Sequence, residues 1–206
     1  MHAEDDAGVH ALPITVTYGE RDLTITPTLV ETDRGLVLCD VGPQGAVNGL
    51  ETHLRSLGYD LEDIWLVVLT HHDGDHAGGL AELKDRVDAV VGTHRDEAPY
   101  ISGERDPIKG DGDRYPSVPV DIELADGVRI PTGAGPMEVV ATPGHAPGHV
   151  SLYFPDGNLL VAGDALVADG TEPLAGPKPQ FTPDMDRAIE SVGKLAGLEI
   201  DHTLCY

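Results

Sequence analysis

The chain is poor in positive charge: 13 Lys plus Arg stand against 36 Asp plus Glu, only four of the cations are Lys, and the formal net charge is −23. A surface of that sign repels a polyanion, so nucleic acid is not an expected partner. Cysteine is scarce too. Cys39 and Cys205 each lie in or beside an apolar run without CxxC spacing, which predicts buried thiols rather than a redox pair or metal ligands. No apolar stretch approaches the roughly 18 residues of a membrane span, and the opening Met1-His2-Ala3-Glu4-Asp5-Asp6 is acidic, unlike a secretory leader. A soluble, cytoplasmic protein without a membrane partner is expected. Nor is there a G-x-S-x-G elbow to present a serine nucleophile.

What is present is an ordinary share of apolar residues, 40% of 206, enough for one sizeable core. We read residues 1–206 as a single domain. The carboxylates are spread through strand and helix patterns rather than gathered in a tail, so the charge reads as global solvation of a folded chain. A halophilic cytoplasm, whose salt screens the self-repulsion, is the environment this implies.

Local patterns alternate between strand and helix. Runs at Ile14–Tyr18, Leu23–Glu31 and Gly35–Asp40, separated by turns at Gly19-Glu20 and Asp33-Arg34-Gly35, predict an antiparallel meander. Ala46–Leu57 has helical spacing through Val47, Leu50, Leu54 and Leu57, with Gly58 as its cap. A strand at Ile64–Leu69, a helix around Leu80–Leu83 and a strand at Val87–Gly92 follow, which is an α/β order. Residues 99–119 keep no period and predict a long surface loop, with Tyr100 and Tyr115 as candidate substrate contacts or packed aromatics. Strands are expected at Met137–Ala141, Val150–Phe154 and Asn158–Ala162, with a hairpin turn at Pro155–Asn158. An amphipathic helix through Ile189, Val192 and Leu195 and a strand at Ile200–Tyr206 end the chain.

Chemistry-bearing residues gather where apolar strands end. Thr70-His71-His72-Asp73-Gly74-Asp75-His76-Ala77-Gly78-Gly79 follows Leu69, and five of its side chains can bind metal. Thr142-Pro143-Gly144-His145-Ala146-Pro147-Gly148-His149 follows Ala141, and Gly163-Asp164 follows Ala162. Loops at one sheet edge are the usual place for an α/β active site, and Gly74, Gly144 and Gly163 would let backbone approach a metal closely.

These three clusters together resemble the metallo-β-lactamase superfamily, whose pattern is H-x-H-x-D-H, a distant Pro-Gly-His, a Gly-Asp and a last His. The Thr142–His149 repeat is especially similar to the glyoxalase II and lactonase side of that superfamily. The resemblance runs from about Ile14 to the end. It implies an α/β fold of the αββα sandwich type, with metals at one edge of two sheets. His71, Asp75 and His76 match the first motif, His145 the Pro-Gly-His ligand and Asp164 the bridging carboxylate, while His149 would support a ligand rather than bind. The family's second His falls on Asp73, so the motif here is H-x-D-x-D-H, and His72 is one residue out of phase and left outside the ligand set.

By resemblance, His71, Asp73 and His145 would hold one divalent ion, Asp75 and His76 a second, with Asp164 bridging and zinc as the expected metal. Asp75 would also orient the attacking water or shuttle its proton. A carboxylate at 73 makes the centre less positive and moves preference towards manganese or iron. The family's last His is expected where the chain stops at Leu204-Cys205-Tyr206, and His202 sits inside the strand instead. The sequence is read as lacking its natural end, or as giving its second metal one protein ligand fewer. The implied activity is metal-dependent hydrolysis of a small-molecule ester, thioester or lactone. An iron-dependent sulfur dioxygenase or other redox member, and a non-catalytic scaffold with a decayed site, are the alternatives.

Overall fold

The computed structural model describes residues 8–18, 21–109, 114–168 and 173–206. The expected turn at Gly19-Glu20 and the Gly110–Asp113 part of the long loop lie outside them. Strands β1 (Val9–Ala11), β2 (Ile14–Tyr18), β3 (Arg21–Ile25), β4 (Thr28–Thr32) and β5 (Gly35–Cys39) open the chain. The run expected at Leu23–Glu31 is therefore two strands. Pro27, which has no N–H to give a ladder, stands at the break, and β2 with β3 forms a separate hairpin.

Helix α1 (Val47–Leu57), strand β6 (Ile64–Leu69), helices α2 (Gly74–Ala77) and α3 (Leu80–Lys84), strand β7 (Val90–His94) and helix α4 (Ala98–Ile101) follow. Then come β8 (Ile122–Leu124), β9 (Arg129–Thr132), β10 (Gly135–Ala141), β11 (Val150–Phe154), β12 (Leu159–Val161), α5 (Met185–Leu195) and β13 (His202–Leu204). One sheet has the order β1-β4-β5-β6-β7-β8 and the other β13-β12-β11-β10-β9.

Burial on both faces of the central strands shows how the layers stack. Along β6, Val67 and Leu69 pack with Val47, Leu50, Leu54, Leu80 and Leu83 of the helices, while Leu66 and Val68 point the other way into a core shared with β10, β11 and β12. Alternation on β11 is the same: Leu152 and Phe154 face the first sheet, and Tyr153 joins Leu160 and Leu195 beneath α5. Helix, sheet, sheet and helix form four layers, the expected αββα sandwich.

Strands β5, β6 and β7 are parallel, so Cys39, Leu69 and His94 end at one edge. In the other sheet β10 and β12 are both antiparallel to β11, which brings Ala141 and Val161 to a common end. A backbone bond from Val150 N to Thr70 O, 3.0 Å, ties the two ends together. Every candidate ligand therefore lies on the loops or the short helix α2 along one edge of the sandwich.

The two cysteines are free. Cys39 is buried between the sheets, whereas Cys205 is half-buried, a partial departure from the expected pair of buried thiols. Burial, then the field of Asp164, push the Cys205 thiol up to about 11 against an opposing backbone hydrogen bond at Ala168.

Candidate metal centre

The site begins at Asp40, which follows β5 in a left-handed conformation at φ 62°, tolerated by Asp better than by bulkier residues. Its Oδ1 accepts from Thr70 N–H at 2.8 Å, and its Oδ2 accepts from the Thr70 hydroxyl at 2.7 Å. His76 Nδ1 lies 2.8 Å from the same Oδ2, and His71 Nδ1 lies 3.0 Å from Thr70 Oγ1. The Thr70 proton is committed to Asp40, so its oxygen accepts from His71 Nδ1–H, and the carboxylate accepts from His76 Nδ1–H. Both imidazoles thereby donate through Nδ1 and turn Nε2 into the site, where an ion would displace the proton that Asp164 and Asp40 help His76 retain. Those two Nε2 atoms are buried and have no hydrogen-bond partner.

Around them the remaining donors converge. Asp73 Oδ2 is 3.4 Å from His71 Nε2 and 3.1 Å from His145 Nε2. Asp164 reaches His145 Nε2 with one oxygen and His76 Nε2 with the other, each at 3.2 Å. His71, His145 and Asp164 offer ligand atoms that all lie within 4.8 Å of one another. Buried Nε2 atoms facing two carboxylates suit a divalent cation: without a hydrogen-bond partner they cost stability, and an ion satisfies them together. The residues present fit the metal that the sequence pattern implies.

His149 is placed differently. Its Nε2 accepts from the Asp164 backbone N–H at 3.0 Å, so the ring proton is on Nδ1 and goes to Thr142 Oγ1 at 2.8 Å. From there the hydroxyls relay through Ser151 Oγ to the Ala162 carbonyl. Burial, reinforced by the fields of His71 and His145, drives the His149 pKa well below 6.5, and the neutral ring orients the turn that carries Asp164. Gly163 has φ 54°, and a Cβ there would come within 2.7 Å of His149 Nε2. At Gly144, φ 133°, a Cβ would collide with Ala188 of α5. Both glycines are thus required by protein packing, not by the close approach to a metal that the sequence suggested. Gly74 has no such neighbour.

Asp75 stands apart from the cluster. It is exposed on the first turn of α2, and among the described residues its carboxylate makes no hydrogen bond or ion pair with the other candidates. Its carbonyl accepts from the Tyr206 hydroxyl at 2.8 Å, and the Tyr206 ring stacks on His76 with centroids 3.7 Å apart. His72 is turned away, stacked on Tyr100 at 4.2 Å and held by Glu97. His202 lies exposed in β13 against Leu159, away from the cluster.

Three residues of the site carry no signal in the sequence. Asp40, which holds Thr70 and His76, is the first. Glu97 is fully buried; one oxygen accepts from His72 N–H at 2.9 Å and from His72 Nδ1, the other from Gly148 N–H at 2.6 Å, which ties the His71 loop to the His145 loop. Lys109 Nζ lies 2.5 Å from Asp73 Oδ2 and 2.6 Å from His145 Nε2. Of the two tyrosines singled out in the long loop, Tyr100 packs on His72, and Tyr115 donates to the His72 carbonyl at 2.7 Å.

Two sheets with helices outside, and a His and Asp cluster where their strands end, define a metallohydrolase sandwich. The metallo-beta-lactamase superfamily model matches residues 21–204, and the chain belongs to that superfamily. It is 34% identical to the probable metallo-hydrolase YflN of Bacillus subtilis, over 93% of this chain and 80% of that one. Hydroxyacylglutathione hydrolase of Ruegeria pomeroyi is 30% identical over 76% of this chain, which spans only about half, 51%, of that enzyme. Among solved structures, a metallo-beta-lactamase family protein from Thermus thermophilus superposes with TM-score 0.75 at 25% identity, over 96% of this chain and 72% of that one. A metallo-beta-lactamase from Cronobacter sakazakii gives 0.74 at 26%, over 96% and 77%.

Proposed function

We propose that the protein is a metal-dependent hydrolase of a small-molecule ester, thioester or lactone. The observation that carries this is the pair of buried Nε2 atoms on His71 and His76, each turned inward by its own Nδ1 hydrogen bond and each facing carboxylates. Membership of a hydrolase superfamily, and relatives named as hydroxyacylglutathione hydrolases, support a thioester as the first class to test. His71, Asp73 and His145 would hold one ion, His76 a second, with Asp164 between them and zinc the metal of choice. When bound, such ions supply Lewis acidity for activating water and polarising a carbonyl.

The chain's own groups do the rest. Asp40 and Thr70 hold the two imidazoles with Nε2 turned into the site, and His149 fixes the backbone of Asp164, so these three donors are in position before an ion arrives. Asp75, exposed at the rim, is the carboxylate we assign to proton exchange with solvent. Salt adaptation of the whole acidic surface belongs to the same reading.

The test is a hydrolysis panel of S-acyl glutathiones, aryl esters and lactones, run with protein stripped by chelator and then reloaded with zinc or manganese. Turnover of one class that vanishes on chelation, returns with metal and drops at least about a hundredfold in Asp75→Asn is expected. Metal-replete protein inert to the entire panel would refute it. Two His and one carboxylate, His71, His145 and Asp164, also form the ligand type of mononuclear iron oxygenases, which favours sulfur oxidation as the second reading. Oxygen uptake with a persulfide by iron-loaded protein distinguishes the two.

A further inference from the structure

The segment after α4 carries a cation into the cluster. Lys109 Nζ contacts Asp73 Oδ2 at 2.5 Å and His145 Nε2 at 2.6 Å, and its side chain is only 18% exposed. An ammonium has donors and no lone pair, so at His145 it donates to the imidazole lone pair. Those two atoms are the ones that Asp73 and His145 would offer to an ion. The ammonium therefore stands inside the donor set. It also stands there because of Asp73: a carboxylate attracts and orients the cation, whereas the imidazole usual at that position would give it no counter-charge. The acidic residue at 73 and the lysine at 109 are one electrostatic unit, in a chain that has only four lysines to place.

We propose that Lys109 is a tethered cation that competes with a metal ion for the place between Asp73 and His145. That half of the centre loads an ion only when the ammonium leaves, while no tethered cation stands in the half built on His76 and Asp164. Apparent affinity falls by the fraction of molecules in which the lysine is out, so wild-type protein holds one ion tightly and a second weakly. This inference rests on the metal-centre reading above and concerns which part of that centre fills first.

The test is calorimetric titration of chelator-stripped protein with zinc ion, with bound metal counted by mass spectrometry. Wild type, Lys109→Met, Asp73→His and the double variant are compared, each checked for native circular dichroism. Methionine keeps the length of the stem and removes the charge. Loss of a charge-assisted hydrogen bond should tighten the weaker site about tenfold or more in Lys109→Met, leaving the tighter site within about twofold. In the Asp73→His background the lysine substitution should shift the weaker site by less than about threefold, because the anion that holds Nζ is gone. Two ions bound with the same affinities by wild type and Lys109→Met overturn the competition and leave the metal centre standing. Absence of binding in all four folded proteins overturns both.

Discussion

Buried histidines in one cluster shift in opposite directions according to what faces them, and here that predicts a pH optimum of stability for the metal-free protein. Burial lowers His149 well below 6.5, and burial likewise lowers His145. At His76 burial also opposes the charged form, but the carboxylates of Asp164 and Asp40 outweigh it and raise the pKa well above 6.5. In the unfolded chain all three titrate near about 6.5. Below that pH the unfolded state binds more protons than the folded one, because His149 and His145 stay neutral, so stability falls as pH falls. Above it the folded state keeps a proton on His76 that the unfolded state has released, so stability falls again as pH rises towards the raised value. Thermal melts of chelated protein at molar KCl should therefore peak near about pH 6.5, and zinc should abolish the alkaline limb because a ligated Nε2 carries no proton. A melting temperature rising steadily from about pH 5 to about pH 9 in chelator contradicts this. The ligand-type residues here were legible as strand-end clusters. Asp40, Glu97 and Lys109 were not, because each acts on a partner 25 or more positions away and no local spacing encodes that pairing.

Helix α5 meets the cluster's turn with two small residues, Ala188 and Ser191. Ala188, Ser191 and Leu195 are buried, while Ile189, which the apolar spacing placed inward, is 59% exposed. Close approach decides the orientation: Ala188 lies against Gly144, Asp184 N–H donates to the Gly144 carbonyl at 3.2 Å, and Ser191 Oγ donates to the Pro143 carbonyl at 2.7 Å. An isoleucine facing the turn would hold the helix off and leave those carbonyls unpaired. Enlarging the contact in Ala188→Leu should cost about 1–3 kcal/mol by overpacking and weaken zinc binding through His145. Ile189→Lys should change stability by no more than about 0.5 kcal/mol. Denaturant melts and zinc titrations of both variants check the pair, and equal effects at the two positions would count against the orientation. The limit of pattern reading has the same cause elsewhere. The six-residue strand at Ile64–Leu69 was legible from its unbroken apolar run, whereas β7 begins at Val90 rather than Val87, and β8 and β9, at three and four residues, are too short for a period to stand out.

At the scale of the whole molecule, a net charge of −23 on 206 residues works against compaction, and the few cations do not offset it locally. Among the described residues the Lys and Arg ion pairs outside the site are at the surface, as Arg55 with Glu51 and Lys194 with Asp126, and exposed pairs of this kind contribute little. Within the site the balance differs, since Asp73, Asp164 and Glu97 are surrounded by imidazoles and Lys109. Mobile ions should consequently stabilise the surface and leave the interior pairs almost untouched, because screening falls away where solvent does not reach. Raising KCl from about 0.05 M to about 1 M, where the Debye length shrinks to about 3 Å, should raise the melting temperature by several degrees and then level off. The increment should be the same in wild type and in Lys109→Met, since that lysine acts at short range inside the cluster. A melting temperature indifferent to KCl over this range would show that the carboxylates lie too far apart to repel, and would remove the physical basis for reading the acidic surface as an adaptation to salt.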